Sequence, residues 1–135
     1  LLKYIMKNIL WVKELGIKDA PLVGGKNASL GEMRNNLIAK GVNIPDGFAT
    51  TSDAYFYFLK ESGLFSKIET ILKGFDYHDL KVLQQKGKQV RDLILSAQLP
   101  QELARDVVQS YQELSKEYGV QNVDVAVRSS ATAED

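Results

Sequence analysis

The chain contains no cysteine, which excludes disulfide bonds, thiolate metal sites and cysteine nucleophiles. This absence fits a reducing compartment, and we expect a cytoplasmic protein. Lysine plus arginine and aspartate plus glutamate both total 17, so there is neither a basic surface for nucleic acid nor an acidic tail. No apolar run approaches the roughly 18 residues of a membrane span. Neither nucleic acid nor a membrane is therefore an expected partner.

The amino-terminal stretch does not resemble a secretory signal. Lys3, Lys7 and Asn8 interrupt its apolar residues, and no small-residue cleavage site follows. A start at Met6 would leave residues 1–5 non-native, and we exclude them from the prediction of the fold. The whole chain of 135 residues has room for one compact domain, and its 44% hydrophobic content is ordinary for a globular protein.

The hydrophobic pattern predicts a helix-rich domain with a few short strands, of the α+β or α/β class. Alternating valines favour a strand at residues 123–128. Two other short strands are predicted, at 9–12 and 48–51. Helices are predicted over 27–41, 52–63, 64–72, 80–94 and 100–118, several of them ending at a glycine.

Lys26 is the first candidate for binding an anion, because it follows Gly24 and Gly25 at the start of a predicted helix. Backbone amides and the helix dipole favour a phosphate there, and the glycines would let the main chain approach the ligand closely. The classical phosphate-loop pattern is absent, since Asn27 follows the lysine. A solvated surface lysine is the competing interpretation.

Arg128 is the second candidate, at the end of the predicted strand 123–128. Ligands of open α/β sheets bind at the carboxyl ends of strands, and a guanidinium contacts two phosphate oxygens at once. The hydroxyls of Ser129, Ser130 and Thr132 would add donors. The alternative is an ion pair between Arg128 and Asp124, with the serines in an ordinary turn.

The other polar candidates carry no predicted chemistry. His78, the single histidine, lies in a polar loop and is predicted to be a surface residue. Glu134 and Asp135 are predicted to be solvated rather than bound to metal. We therefore predict no catalytic residue and no metal ligand in this chain.

Three segments resemble the phosphoenolpyruvate synthase family in order and spacing. They are GGKNASLGEM at 24–33, IPDGFATTSDAY at 44–55 and VAVRSSATAED at 125–135. Pyruvate phosphate dikinase, which usually has glycine in place of Asn27, and rifampin phosphotransferase share the nucleotide-binding domain and are the alternatives.

The resemblance implies the amino-terminal part of an ATP-grasp-like domain that binds Mg-ATP and passes the β-phosphate to a histidine on a separate domain. In the synthase, ATP, pyruvate and water then give phosphoenolpyruvate, AMP and phosphate. By position, the family's phosphate-contacting lysine and arginine are Lys26 and Arg128, whereas His78 does not match the phosphorylated histidine. The partners implied are ATP and the remaining domains of a longer protein: the rest of the ATP clamp with its magnesium ligands, the phosphohistidine domain and the pyruvate domain. The fragment alone would be inactive, and a stand-alone helical interaction module is the alternative from another class.

Overall fold

The computed structural model describes residues 7–133 as a helix-rich α+β fold with one small sheet. The two strands are β1 (Ile9–Trp11) and β2 (Phe48–Thr50). The helices are α1 (Ala20–Val23), α2 (Gly25–Leu37), α3 (Ser52–Glu61), α4 (Leu64–Leu72), α5 (Leu80–Ser96) and α6 (Gln101–Glu117). None of the helices in this described part is long and apolar enough to cross a bilayer. The predictions for residues 1–5, Glu134 and Asp135 lie outside the described residues.

Two compact units divide the described chain. One combines residues 7–55 with 102–133, and the other comprises residues 56–101. The division falls inside α3 and at the start of α6. The predicted assignment of residues 1–135 to a single domain stays a prediction.

In the first unit, β1 and β2 pair in antiparallel register, with Ile9 opposite Thr50 and Trp11 opposite Phe48. The pairing extends by one bond, in which the Val12 amide donates to the Gly47 carbonyl at 2.9 Å. A small core of Leu15, Val23, Ala28 and Ala49 lies beside this sheet. The two predicted strands at 9–12 and 48–51 are therefore confirmed, each one residue shorter than expected.

Helix α2 buries a different face from the one that its large apolar residues indicate. Helical spacing places Leu30, Met33 and Leu37 on one face, but Met33 is 46% exposed. The buried residues of α2 are Ala28 and Gly31. Small residues let a helix approach its neighbour more closely than leucine or methionine would, so here a close approach of backbone decides which face is buried.

The neighbour of α2 is the chain around Leu15, which is 1% exposed. A β-carbon at Gly31 would lie 2.5 Å from the Leu15 β-carbon, which is closer than two carbon atoms can pack. The Asn35 side-chain amide donates to the Leu15 carbonyl at 2.8 Å, and the Glu32 carboxylate accepts from the Ile17 amide at 3.1 Å. Polar side chains of α2 thus satisfy the backbone of the turn on which its small residues pack.

Helix α3 begins as its sequence predicts. The Thr51 hydroxyl accepts from the Ala54 amide at 3.1 Å and donates to the Lys7 carbonyl at 2.7 Å. This is an N-cap bond, which satisfies one of the amides left over at the helix start. Phe58 is buried, whereas Tyr55 is 47% exposed, so only part of the apolar surface of α3 is covered.

In the second unit, α4 packs against α5. Asp79 caps α5 by accepting from the amides of Lys81 at 2.9 Å and Val82 at 3.2 Å. The rings of Phe56 and Phe65 stack with centroids 6.0 Å apart, and both side chains are about half exposed. Phe56 therefore packs on a neighbouring ring and is not part of the buried core.

The predicted strand at 123–128 is absent from the described residues. The segment that follows α6 is irregular, with Val125 50% exposed and Val127 92% exposed. Alternation predicts which side chains share a face, but a strand also needs a neighbour for its backbone hydrogen bonds. No described strand pairs with this segment, so the alternation alone does not produce a strand.

Candidate functional site

The site begins at Gly24, which joins α1 to α2. Its amide donates to the Ala20 carbonyl at 2.8 Å, and its carbonyl accepts from the Ala28 amide at 3.1 Å. Helix α2 starts at Gly25, two residues before the predicted start, so Lys26 lies in the first turn and is exposed. Amides of a first helical turn have no acceptor within the helix, which makes this end suitable for an anion.

Asn27 holds the same corner from the other side. Its side-chain amide donates to the Val23 carbonyl at 2.9 Å and so satisfies an oxygen at the end of α1. Nothing in the sequence pattern predicts this bond. The side chain fixes the short turn in which Gly24 and Gly25 lie.

The carboxyl-terminal motif comes directly against this corner. A β-carbon at Gly24 would lie 2.1 Å from Ser130 Oγ, 2.7 Å from the Ala131 carbonyl oxygen and 3.0 Å from the Ala131 nitrogen. The backbone φ of Gly24 is +81°, a conformation that residues with a β-carbon rarely adopt. Glycine at 24 is thus required both by its conformation and by the closeness of the other motif. The first and third of the sequence motifs, at 24–33 and 125–135, therefore meet here.

Ser130 supplies a polar atom at the meeting point. Its hydroxyl oxygen is buried, and it has no hydrogen-bond partner among the described residues. Leaving such a group unsatisfied costs about 1–3 kcal/mol, so it is uncommon without a reason. A phosphate oxygen would satisfy this hydroxyl, and the chemistry of the corner therefore fits a phosphate group.

The segment that bears Arg128 is also anchored where it leaves α6. The Tyr111 hydroxyl donates to the Val123 carbonyl at 3.0 Å, and the Val123 amide donates to Ser115 Oγ at 3.2 Å. Ser115 is only 2% exposed. Tyr111 and Ser115 are four residues apart on α6 and so share a face, which is the one sequence signal that would have identified the pair.

Arg128 lies between these two anchors and is exposed. No ion pair joins it to Asp124 in the part of the chain that the structure describes, so the alternative of a pair between them has no support. Ser129 and Thr132 are also exposed. The phosphate contacts expected of Arg128, Ser129 and Thr132 stay predictions.

Among residues 7–133, no three acidic or histidine side chains are grouped so that they could hold a metal ion. His78 is exposed and its ring lies 4.2 Å from that of Tyr77, in agreement with the predicted surface position.

Residues 20–135 match the family model of the pyruvate phosphate dikinase AMP/ATP-binding domain. The chain belongs to this family, and the match contains both Gly24 with Lys26 and the segment of Arg128. This confirms the family relationship indicated by the three motifs.

Curated relatives are named phosphoenolpyruvate synthase. The protein of Aquifex aeolicus is 50% identical over 94% of this chain, that of Helicobacter pylori 47% over 96%, and that of Synechocystis 49% over 94%. The chain spans only 15% of the Aquifex protein and 16% of each of the other two. It therefore corresponds to a small part of these enzymes.

Proposed function

We propose that this chain is the amino-terminal part of the ATP-binding domain of a phosphoenolpyruvate synthase, and that its two motifs contact the phosphates of ATP. The observation that carries the proposal is the contact of Gly24 with Ser130 and Ala131, which brings the two motifs that we expect to bind phosphate to one corner.

Lys26 and Arg128 supply the positive charge. Lys26 stands in the first turn of α2, where the helix dipole adds to its attraction for an anion. Arg128 stands two residues before Ser130, so its guanidinium can reach the same ligand with a two-pronged contact. Cations held in place before the reaction neutralise charge on the polyphosphate as it shifts during transfer, which is the main contribution of protein to such chemistry.

Neutral donors complete the phosphate contacts. The buried Ser130 hydroxyl faces Gly24 and would donate to a phosphate oxygen, together with the first-turn amides of α2. The exposed hydroxyls of Ser129 and Thr132 flank it on the same segment. These groups orient the ligand, whereas the two cations attract it.

The proposal extends to the longer protein. It would use ATP, pyruvate and water to form phosphoenolpyruvate, AMP and phosphate, in the cytoplasm, with a histidine outside this chain receiving the phosphoryl group. Magnesium would add further charge neutralisation on the phosphates, and its ligands would come from outside residues 7–133. The second half of an ATP-grasp-like clamp would lie there as well.

The test measures Mg-ATP affinity and AMP formation with and without pyruvate in the full-length protein that contains these residues. Lys26→Ala and Arg128→Ala should each weaken ATP binding by about 10- to 100-fold, the range expected for charge-assisted contacts. Lys88→Ala and Arg91→Ala, exposed cations of α5, are the matched controls and should leave affinity unchanged.

Two results would contradict the proposal. Unchanged affinity in both Lys26→Ala and Arg128→Ala would remove these residues from the site. AMP formation that depends on rifampin instead of pyruvate would identify an antibiotic phosphotransferase and not a synthase.

A further inference from the structure

We propose that Asp46 is a positioning residue that fixes the helix bearing Lys26 relative to the segment bearing Arg128. This inference rests on the proposed function, because it assigns Asp46 a role in the geometry of the same ATP site. Asp46 belongs to the second sequence motif, IPDGF, to which the phosphate contacts assign no role.

The Asp46 carboxylate is buried and binds two backbone amides. Its side chain is 5% exposed. Oδ1 accepts from the Gly47 amide at 3.0 Å and from the Lys13 amide at 3.1 Å. Oδ2 accepts no hydrogen bond from the described residues and lies 3.3 Å from its ion-pair partner, Lys13 Nζ. A buried carboxylate is stable only with such partners, so its charge keeps the chain around residue 13 in place.

The same carboxylate reaches α2. Arg34 Nε lies 3.7 Å from Asp46 Oδ1, and a guanidinium nitrogen of Arg34 donates to the Ile44 carbonyl. Arg34 stands on the helix whose first turn carries Lys26. The position of α2, and with it that of Lys26, is thereby tied to the loop at 44–47.

Asp46 also reaches the end of α6. Its amide donates to the Tyr118 hydroxyl oxygen at 3.1 Å. The Lys13 ammonium, already bound to the carboxylate, donates to Glu117 Oε1 at 2.6 Å and lies 4.6 Å from the centroid of the Trp11 ring. The loop at 44–47 and Lys13 therefore each hold the carboxyl-terminal end of α6 by one contact.

Helix α6 also holds the segment that bears Arg128. Its Tyr111 and Ser115 side chains hold Val123 by the carbonyl and the amide, five residues before Arg128. A shift of α6 relative to α2 would move the two cations apart. Because catalytic contacts depend on ångström-scale placement, such a shift would weaken phosphate binding without removing any phosphate contact directly.

The variants separate positioning from simple stabilisation. Asp46→Asn keeps an acceptor for both backbone amides but removes the charge that Lys13 and Arg34 share. Tyr118→Phe removes only the hydroxyl from a side chain that is 47% exposed, so it tests the α6 contact at little cost in folding. Asp92→Asn, which breaks an exposed pair with Lys88, is the matched control for loss of a carboxylate.

The experiment measures Mg-ATP dissociation constants and melting temperatures of the full-length protein carrying each variant. Each is made in the wild-type background and in a Lys26→Ala/Arg128→Ala background. In the wild-type background we expect Asp46→Asn to weaken binding by about 10-fold and Tyr118→Phe by about 3-fold. Without the two cations, both effects should fall below about twofold, whereas the losses in melting temperature should be the same in both backgrounds.

The outcomes keep the two proposals distinct. If wild-type protein binds Mg-ATP through Lys26 and Arg128, but Asp46→Asn and Tyr118→Phe leave affinity unchanged or lower it equally in both backgrounds, the positioning role is wrong and the proposed function stands. If wild-type protein does not bind Mg-ATP, both proposals are overturned. The coupling of Asp46 to the two cations supports both.

Discussion

Replacing Gly24 with alanine tests whether the meeting of the two motifs forms the site. The new methyl group would lie 2.1 Å from Ser130 Oγ and 2.7 Å from the Ala131 carbonyl oxygen. Non-bonded atoms prefer about 3.5–4 Å, so the segment at 130–131 must retreat by more than about 1 Å. We expect this retreat to separate the segment of Arg128 from the start of α2.

The cost has two parts. Gly24 has φ +81° and ψ 159°, a region that is essentially confined to glycine and costs a residue with a β-carbon about 1–3 kcal/mol. Overpacking against residues 130–131 adds about 1–3 kcal/mol unless the segment moves away. The expected loss of unfolding free energy is therefore about 2–6 kcal/mol, and a loss near the lower end would mean that the segment has moved.

Gly41→Ala is the matched control. Gly41 has φ +83° and ψ 8°, and a β-carbon there would meet nothing within 4 Å, so only the left-handed conformation is penalised, by about 1–2 kcal/mol. Calorimetric titration of the full-length protein with Mg-ATP, below the melting temperatures of both variants, should show affinity reduced at least about 10-fold in Gly24→Ala and unchanged in Gly41→Ala. A folded Gly24→Ala protein with wild-type affinity would refute the reasoning.

Three further changes test the packing of two helices and the charge pair at Lys13. Alanine normally stabilises a helix relative to glycine by about 1 kcal/mol, and a β-carbon at Gly87 in α5 would meet only the flexible end of an arginine side chain, so Gly87→Ala should raise the melting temperature. Gly31→Ala should lower it, because the new methyl group is forced against Leu15. Equal shifts measured by differential scanning calorimetry would contradict the packing of α2 on Leu15. The pKa of Lys13 is raised above its ordinary value, chiefly by the hydrogen bond to Glu117. The contribution of this pair to the free energy of unfolding is therefore complete below the ordinary lysine pKa of about 10.4, and it is lost as the pH rises through the higher folded-state pKa. Urea unfolding at increasing pH should therefore show a smaller alkaline loss of stability in Glu117→Gln than in wild type. An identical loss in both would mean that the pair of Lys13 and Glu117 does not contribute to stability.

Local sequence signals predicted the helices well, since each signal acts within a few residues. Thr51, a residue type suited to an N-cap, caps α3, and Gly41, Gly63 and Gly119 follow helical segments with positive φ. The buried face of α2 could not be predicted in this way. The large apolar residues Leu30, Met33 and Leu37 indicated a different face. The buried face is set by Leu15, whose backbone approaches α2 closely where the helix has glycine or alanine.

The site was predictable in its parts but not in its assembly. The position of Lys26 at a helix start follows from the glycines that precede it, whereas the contact between Gly24 and Ser130 joins distant segments and has no local signal. Turn chemistry at 45–47 indicated that Asp46 would bond to a nearby amide, as it does with Gly47. Its contacts with Lys13, Arg34 and Tyr118 come from three other segments and are visible only in the fold.

The failed strand at 123–128 shows what holds Arg128 in place. Burying a valine is worth about 1.5–3 kcal/mol, but Val127 is 92% exposed, so burial of this side chain contributes almost nothing to fixing the segment. Its order comes instead from its two ends, through the bonds that hold Val123 to α6 and the contact of Ser130 with Gly24. An exposed segment held at its two ends moves with its anchors, and the position of Arg128 therefore depends on Tyr111, Ser115 and Gly24.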